Sequence, residues 1–383
     1  MTDILANSIG GQSPLASARR LVVKVGSSLL IGRRGLRRRW LDAFAHDAAA
    51  LLENGERRLI VVSSGAVGLG RSAVGGGLPH IADRQAAAAV GQIALAEAWR
   101  RALSRHGLMT AQLLLTPGDT EDRRRHLNAR ATLEALLARR IVPVINENDT
   151  VATDELKFGD NDRLAARVAQ LVSADAVILL SDVDGFYSAD PRRDPSARHI
   201  PVIAEIDGRI EAMAGGRGSD LGTGGMASKL AAARIAINAG THLAIASGTA
   251  PGALGDLLAG GRASWFLSRV EPMTARKAWL AATVAARGCL RIDQGAAAAL
   301  RAGRSLLPVG VHAVEGRFEK GDPVRILGPE GTELAIGLIN YDSGEASRLI
   351  GQHSADIERL LGYPGPDVLV HRDNLALFQG RKA

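Results

Sequence analysis

The chain has a single cysteine, Cys289, in 383 residues. That excludes an intramolecular disulfide framework and a multi-cysteine zinc site, and fits a reducing, cytoplasmic setting. Aromatic residues make up only 3% of the sequence, which leaves few platforms on which bases could stack. No stretch approaches the roughly 20 apolar residues of a membrane-spanning helix, so no membrane partner is expected. Met1 to Arg20 lacks a basic start followed by an apolar run, so it does not read as a secretion signal and is expected to be a polar tail. Lysine is also scarce. Of the 47 lysines and arginines, only Lys24, Lys157, Lys229, Lys277, Lys320 and Lys382 are lysine. In a chain that uses arginine by default, a lysine marks a place where a compact point charge serves better than a planar fork.

Common catalytic signatures are missing too. There is no P-loop, no Gly-x-Ser-x-Gly elbow, no His-Glu-x-x-His and no protein-kinase loop set. The nine histidines show no metal-ligand spacing.

What is present is the composition of a globular protein, 46% hydrophobic and 23% charged, with enough length for two domains. Apolar runs at Leu21–Val25, Arg58–Ser63, Met109–Leu115, Ile141–Ile145, Ala176–Leu180 and Thr241–Ala246 predict strands. Helical stretches alternate with them at about Arg37–Glu53, Asp83–His106, Arg123–Arg139 and Met226–Ala239. The alternation predicts an α/β domain with a mainly parallel central sheet covered on both faces. Beyond Ser264 to Trp279 the pattern changes to short runs with frequent Gly and Pro, at Gly288–Ile292, Ser305–Val314, Pro323–Leu327 and Glu333–Ile339. These predict a small, mostly β domain.

The net charge is +7, but the segment from Arg287 onward carries 12 basic and 12 acidic residues. The excess lies upstream, in arginine clusters that read as solvated surface. The neutral second domain, with Phe318, Tyr341, Tyr363 and Phe378 as its aromatics, argues against RNA binding.

In a parallel sheet, ligands bind beyond the carboxyl ends of the strands. Those ends read Lys24-Val25-Gly26-Ser27-Ser28, Ser63-Ser64-Gly65-Ala66, Asn146-Glu147-Asn148-Asp149 and Ser181-Asp182. One such end would be ordinary turn chemistry. Several along one sheet edge indicate a cleft. Lys157 precedes Gly159-Asp160-Asn161-Asp162. Lys229 follows Gly222-Thr223-Gly224-Gly225-Met226-Ala227-Ser228 at the start of a helix. A glycine-rich turn that opens a helix offers free N–H groups and a positive dipole end to phosphate. A carboxylate acceptor is already ionised at neutral pH, so it could attack a phosphoryl group with no general base. Lysines and Mg²⁺ would then neutralise the charge.

Taken in order, these segments resemble the amino-acid kinase family. They are Val23 to Ser28, Val62 to Ala66, Pro143 to Asp149 with Val151-Ala152-Thr153, Gly159 to Asp162, and Leu221 to Met226. The resemblance is closest to the branch that phosphorylates the side-chain carboxylate of L-glutamate with ATP, the first step of proline biosynthesis. It implies the three-layer amino-acid kinase fold. It implies that Lys24 and Lys229 stabilise the transferring phosphoryl group and that Asp162 orients them. Ser64, Asp149 and Asn161 would bind glutamate, with Asn146 and Asp160 nearby. Ser181, Asp182, Thr223, Gly224, Gly225, Met226, Ala227, Ser228 and Lys229 would form the nucleotide site, with Lys24 and Lys157 beside it. It also implies proline as feedback inhibitor, a homo-oligomer (dimer or tetramer) and a reductase that consumes the product. The segment Gly288 to Tyr363 resembles a PUA domain. The expected boundaries are a tail over 1–20, the kinase domain over 21–268, a linker over 269–286, the PUA-like domain over 287–366 and a tail over 367–383. The alternatives are a family member acting on another carboxylate, a carbamate or a phosphate, and an RNA-binding protein that uses the second domain.

Overall fold

The structure is a computed structural model that describes residues 13–33, 35–75, 77–151, 160–215, 225–275, 277 and 286–378. The chain divides into two compact units, 1–121 with 128–272, and 122–127 with 273–383.

The larger unit is built on an eight-stranded sheet. In chain order its strands are β1 (Arg20–Val25), β2 (Arg58–Ser63), β3 (Thr110–Leu115), β4 (Val142–Glu147), β5 (Ala176–Ser181), β6 (Val202–Ile203), β7 (His242–Ser247) and β8 (Ala263–Phe266). Across the sheet they run β6-β8-β7-β5-β1-β2-β4-β3. All neighbours pair in parallel except β7 with β8. The main helices are α1 (Arg38–Leu52), α2 (Ala66–Val74), α3 (Ile81–Ser104), α4 (Arg123–Ala138), α5 (Asn161–Val172) and α6 (Met226–Asn238).

Strands β4 and β5 are buried along their whole length, as a parallel sheet covered on both faces requires. Alternation sends Leu21, Val23 and Val25 of β1 into one core, with Trp40 and Phe44 of α1 and Trp99 of α3. Val22 faces the other, with Val168 of α5 and Ala232 of α6. Val25 of β1 lies level with Ser63 of β2 and Leu180 of β5, so the polar strand ends share one edge.

The tail expected over 1–20 does not hold for its described part. Leu15 and Ala18 are buried, and the Arg19 and Arg20 amides donate to Asp175 Oδ2 at 2.7 and 2.8 Å.

The smaller unit has a five-stranded sheet of β9 (Gly288–Ile292), β10 (Val311–Gly316), β11 (Pro323–Leu327), β12 (Glu333–Ile339) and β13 (Val370–Leu377), ordered β10-β9-β11-β12-β13. Helices Gln294–Arg301, Ser343–Leu349 and Ile357–Leu361, absent from the sequence reading, accompany it. The expected tail over 367–383 is also corrected. Val370–Leu377 pairs antiparallel with β12, because Val370, Leu375 and Ala376 supply buried apolar surface. Nor is the second unit one continuous segment. Leu127 belongs to it and clusters with Ile336, Leu338 and Ala376.

Candidate active site

Lys24 lies one residue before the end of β1, on the face of the sheet covered by α5 and α6. Asp162 is in the first turn of α5, whose N-cap Asp160 accepts from the Arg163 amide at 3.2 Å. An acidic residue there is favoured by the helix dipole. Lys229 is in the first turn of α6. The three converge. Lys24 Nζ lies 2.7 Å from Asp162 Oδ1, and Lys229 Nζ lies 2.9 Å from Asp162 Oδ2. Their exposures are 7%, 1% and 3% for Lys24, Asp162 and Lys229, so the trio is held out of solvent. Burial pushes the Asp162 carboxyl up, but the two ammoniums and their contacts override it and hold the group below its ordinary value. One carboxylate therefore orients two ammoniums, and the trio carries surplus positive charge.

Helices α2 and α6 both start after a glycine. Gly65 precedes α2 with φ of 117°, a left-handed conformation that favours glycine. Gly225 precedes α6 in extended conformation with no side-chain cap, so the first N–H groups of α6 are not taken by a side chain of that residue. A helix start of this kind is a place where phosphate can be bound.

A second, polar cluster lies at the ends of β2 and β4. Asn161 Nδ2 donates to Ser64 Oγ at 2.7 Å and to Asn146 Oδ1 at 3.1 Å. Asn146 Nδ2 donates to Gln92 Oε1 of α3 at 2.8 Å. Asn161 Oδ1 is buried with no hydrogen-bond partner among the described residues. Asp149, on a short helical turn after β4, is buried. Burial, with the Glu147 charge as a second cause, raises its carboxyl to about 7.

Asp160 does more than cap α5, because it also accepts from Ser228 Oγ of α6. Ser181 donates to Asp182 at 3.1 Å at the end of β5, and Asp182 is paired with Arg192 at 2.9 Å. Although partial burial opposes it, the Arg192 and Ser181 contacts hold the Asp182 carboxyl below its ordinary value. Gly225, Met226, Ala227 and Ser228 occupy the N-terminus of α6 as expected. Lys157, Thr223 and Gly224 lie outside the described residues. Sequence reasoning missed Gln92 and Arg192. The signal for Gln92 was the glycine before it, in the middle of an alanine-rich helix.

Among the described residues, no group of three or more His, Cys, Asp or Glu could hold a metal ion, and the one buried carboxylate beside the lysines is engaged by both.

The sequence pattern of the Amino acid kinase family matches residues 19–247, and that of the PUA domain matches residues 288–361. A glutamate 5-kinase of Rhizobium etli (strain CIAT 652) is 52% identical over 369 residues, covering 96% of this chain and 95% of that one. A glutamate 5-kinase of Paramagnetospirillum magneticum (strain ATCC 700264 / AMB-1) is 52% identical over 368 residues, covering 95% and 99%. With the sheet, the lysine pair and these likenesses together, the chain belongs to the amino acid kinase family and carries a PUA domain in its smaller unit.

Proposed function

We propose that this kinase transfers the terminal phosphoryl group of ATP to the side-chain carboxylate of L-glutamate, giving L-glutamyl 5-phosphate, the first step of proline biosynthesis. The observation that carries the reading is the buried Lys24–Asp162–Lys229 trio at the carboxyl ends of parallel strands. Near-full-length identity to two glutamate 5-kinases supports the choice of acceptor.

In this reading, Ser64, Asn146, Asn161 and Asp149 receive glutamate. Ser181, Asp182 and the turn from Thr223 to Lys229 receive the nucleotide, with Lys157 beside it. The substrate carboxylate attacks the phosphorus, and the bond to the leaving oxygen of ADP breaks. Lys24 and Lys229 neutralise the charge that spreads over the transferring oxygens, and Asp162 keeps both ammoniums aimed at it. No protein base is needed, because the nucleophile is already an anion. Mg²⁺, carried on the phosphates, supplies further charge neutralisation when bound. The acyl phosphate is labile, so a reductase that takes it promptly is part of the proposal. So are a homo-oligomer (dimer or tetramer), feedback inhibition by proline at or beside the glutamate site, and a cytoplasmic location.

The test is ATP turnover with Mg²⁺ against L-glutamate, L-aspartate, N-acetyl-L-glutamate and no acceptor, with hydroxylamine to trap acyl phosphate. Glutamate-dependent hydroxamate that falls when proline is added is the expected result. Hydroxamate from another acceptor alone would reassign the substrate.

A further inference from the structure

Three aromatic rings form a stack in the core of the larger unit. Trp40 and Phe44 of α1 lie 5.6 Å apart with their planes at 19°, and Phe44 meets Trp99 of α3 edge to face at 5.2 Å and 81°. All three are 2% exposed or less. The chain has only four tryptophans, and two of them are here. Ring packing alone could be met by phenylalanine. An indole adds one N–H, which needs an acceptor when it is buried.

Both indoles reach out of the core to a strand end. Trp99 Nε1 donates to Ser63 Oγ at 2.8 Å, and Ser63 Oγ donates to the Ser64 carbonyl oxygen at 3.1 Å. Trp40 Nε1 donates to the Gly248 carbonyl oxygen at 2.6 Å, and the Gly248 amide donates to the Ser181 carbonyl oxygen at 2.7 Å. Each bond has one possible direction. An indole N–H only donates, a main-chain carbonyl only accepts, and a hydroxyl has a single proton.

The two anchored ends lie on different sides of the proposed site. Ser64 is on the acceptor side. Its amide donates to the Val25 carbonyl oxygen at 3.0 Å, so the bond from Ser63 leaves neither of its main-chain polar groups loose. Ser181 is on the nucleotide side, at the end of β5. A Cβ at Gly248 would lie 2.4 Å from Leu29 Cδ1 and 2.9 Å from Leu180 Cβ, so glycine lets the chain pass close enough to bond Ser181. The exposed Arg37 adds a bond to the Thr249 carbonyl oxygen at 3.1 Å. Strands β5 and β1 separate β7 from β2, which puts the two anchors three strand spacings apart, roughly 14 Å.

We propose that Trp99 and Trp40 are positioning residues, one for each substrate. Trp99, through Ser63, sets the Ser64 turn that receives L-glutamate. Trp40, through Gly248, sets the end of β5 that receives the nucleotide. Phe44 keeps the two indoles in one stack. The inference rests on the two sides assigned under the proposed function.

The test uses the full-length enzyme. Trp99→Phe and Trp40→Phe keep a ring in the stack and remove the N–H, and Ser63→Ala removes the hydroxyl between Trp99 and Ser64. Hydroxamate formation gives kcat and the KM values for L-glutamate and ATP. Trp99→Phe and Ser63→Ala are each expected to raise the KM for L-glutamate about fivefold, the scale of one hydrogen bond, with the KM for ATP unchanged. The double variant should be no worse than either single one, because both break the same relay. Trp40→Phe should raise the KM for ATP about fivefold and leave the KM for L-glutamate unchanged. Ser63→Ala and Trp40→Leu cover a failure of either phenylalanine variant to fold. KM values that rise equally for both substrates, KM values that do not move, or additive losses in the double variant would reduce the stack to core packing and overturn the proposal. Wild-type enzyme that forms no hydroxamate from L-glutamate would instead remove the functional reading on which the proposal stands.

Discussion

Asp160 accepts a hydrogen bond from the hydroxyl of Ser228, 68 residues further along the chain. The bond joins the first turn of α5, which carries Asn161 and Asp162, to the first turn of α6, which carries Lys229. It runs beside the Lys229–Asp162 ion pair, which joins the same two helix starts.

Ser228→Ala should loosen that tie without removing any charge. Stability is expected to fall by about 1 kcal/mol, the usual worth of one such bond. Turnover should fall by up to about tenfold, because one side-chain contact between the helix starts is lost while the Lys229–Asp162 pair remains. Denaturant unfolding and steady-state kinetics on the same preparation check both numbers.

Lys229→Ala and Asp162→Asn should separate catalysis from folding. Lys229→Ala leaves Lys24 paired with Asp162, so the protein stays folded while kcat falls about 10²- to 10³-fold, the scale of removing one transition-state charge contact. Asp162→Asn leaves two buried ammoniums with no carboxylate between them. Breaking a buried pair costs about 3–5 kcal/mol, so this variant should lose thermal stability as well as turnover. An Asp162→Asn protein that melts with the wild type would contradict the geometry.

The pH dependence should pass through Asp149, whose carboxyl is raised to about 7, first by burial and then by the charge of Glu147. A raised folded value means that its contribution to stability is fully present below the ordinary value near 3.8 and is lost as pH rises through about 7. Relative to Asp149→Asn, the wild type should therefore become less stable between about pH 4 and pH 7. If the ionised form holds the substrate ammonium, the KM for L-glutamate should rise up to about tenfold per pH unit below 7 and level off above it. Paired melting curves and KM measurements across that range decide the point, and the Asn variant should show a flat profile.

Gly91→Ala tests the contact between α2 and α3. The added Cβ would meet the Ala66 carbonyl oxygen at 1.8 Å, which requires the backbone to move. Overpacking of this kind costs about 1–3 kcal/mol. Calorimetry should show that loss, and the KM for L-glutamate should rise more than the KM for ATP, because Ser64 and Gln92 flank the displaced contact.

The six-residue parallel strands were legible because a two-sided core writes them as apolar runs, such as Val-Ile-Leu-Leu in β5, whereas the two-residue parallel strand β6 is too short to leave a pattern. The Lys24–Asp162–Lys229 trio was legible in part, through the contrast of two lysines with an arginine-rich background. Helix α5 was not foreseen. Its first turn is Asn161-Asp162-Arg163, a polar start that reads as loop, and much of its buried face is alanine. Strand β13 was missed for a related reason: His371, Arg372, Asp373 and Asn374 interrupt its apolar positions. The bond between Gln92 and Asn146 depends on a contact between two helices, which no local pattern encodes.

The scarcity of lysine makes the site chemically addressable. Among the described residues, Lys24 and Lys229 are buried, whereas Lys277 is exposed and Lys320 half-buried. An amine-directed reagent should therefore mark the surface lysines first and reach the central pair only when the cleft opens. Peptide masses at those two positions would then gauge occupancy of the cleft directly, without following turnover at all.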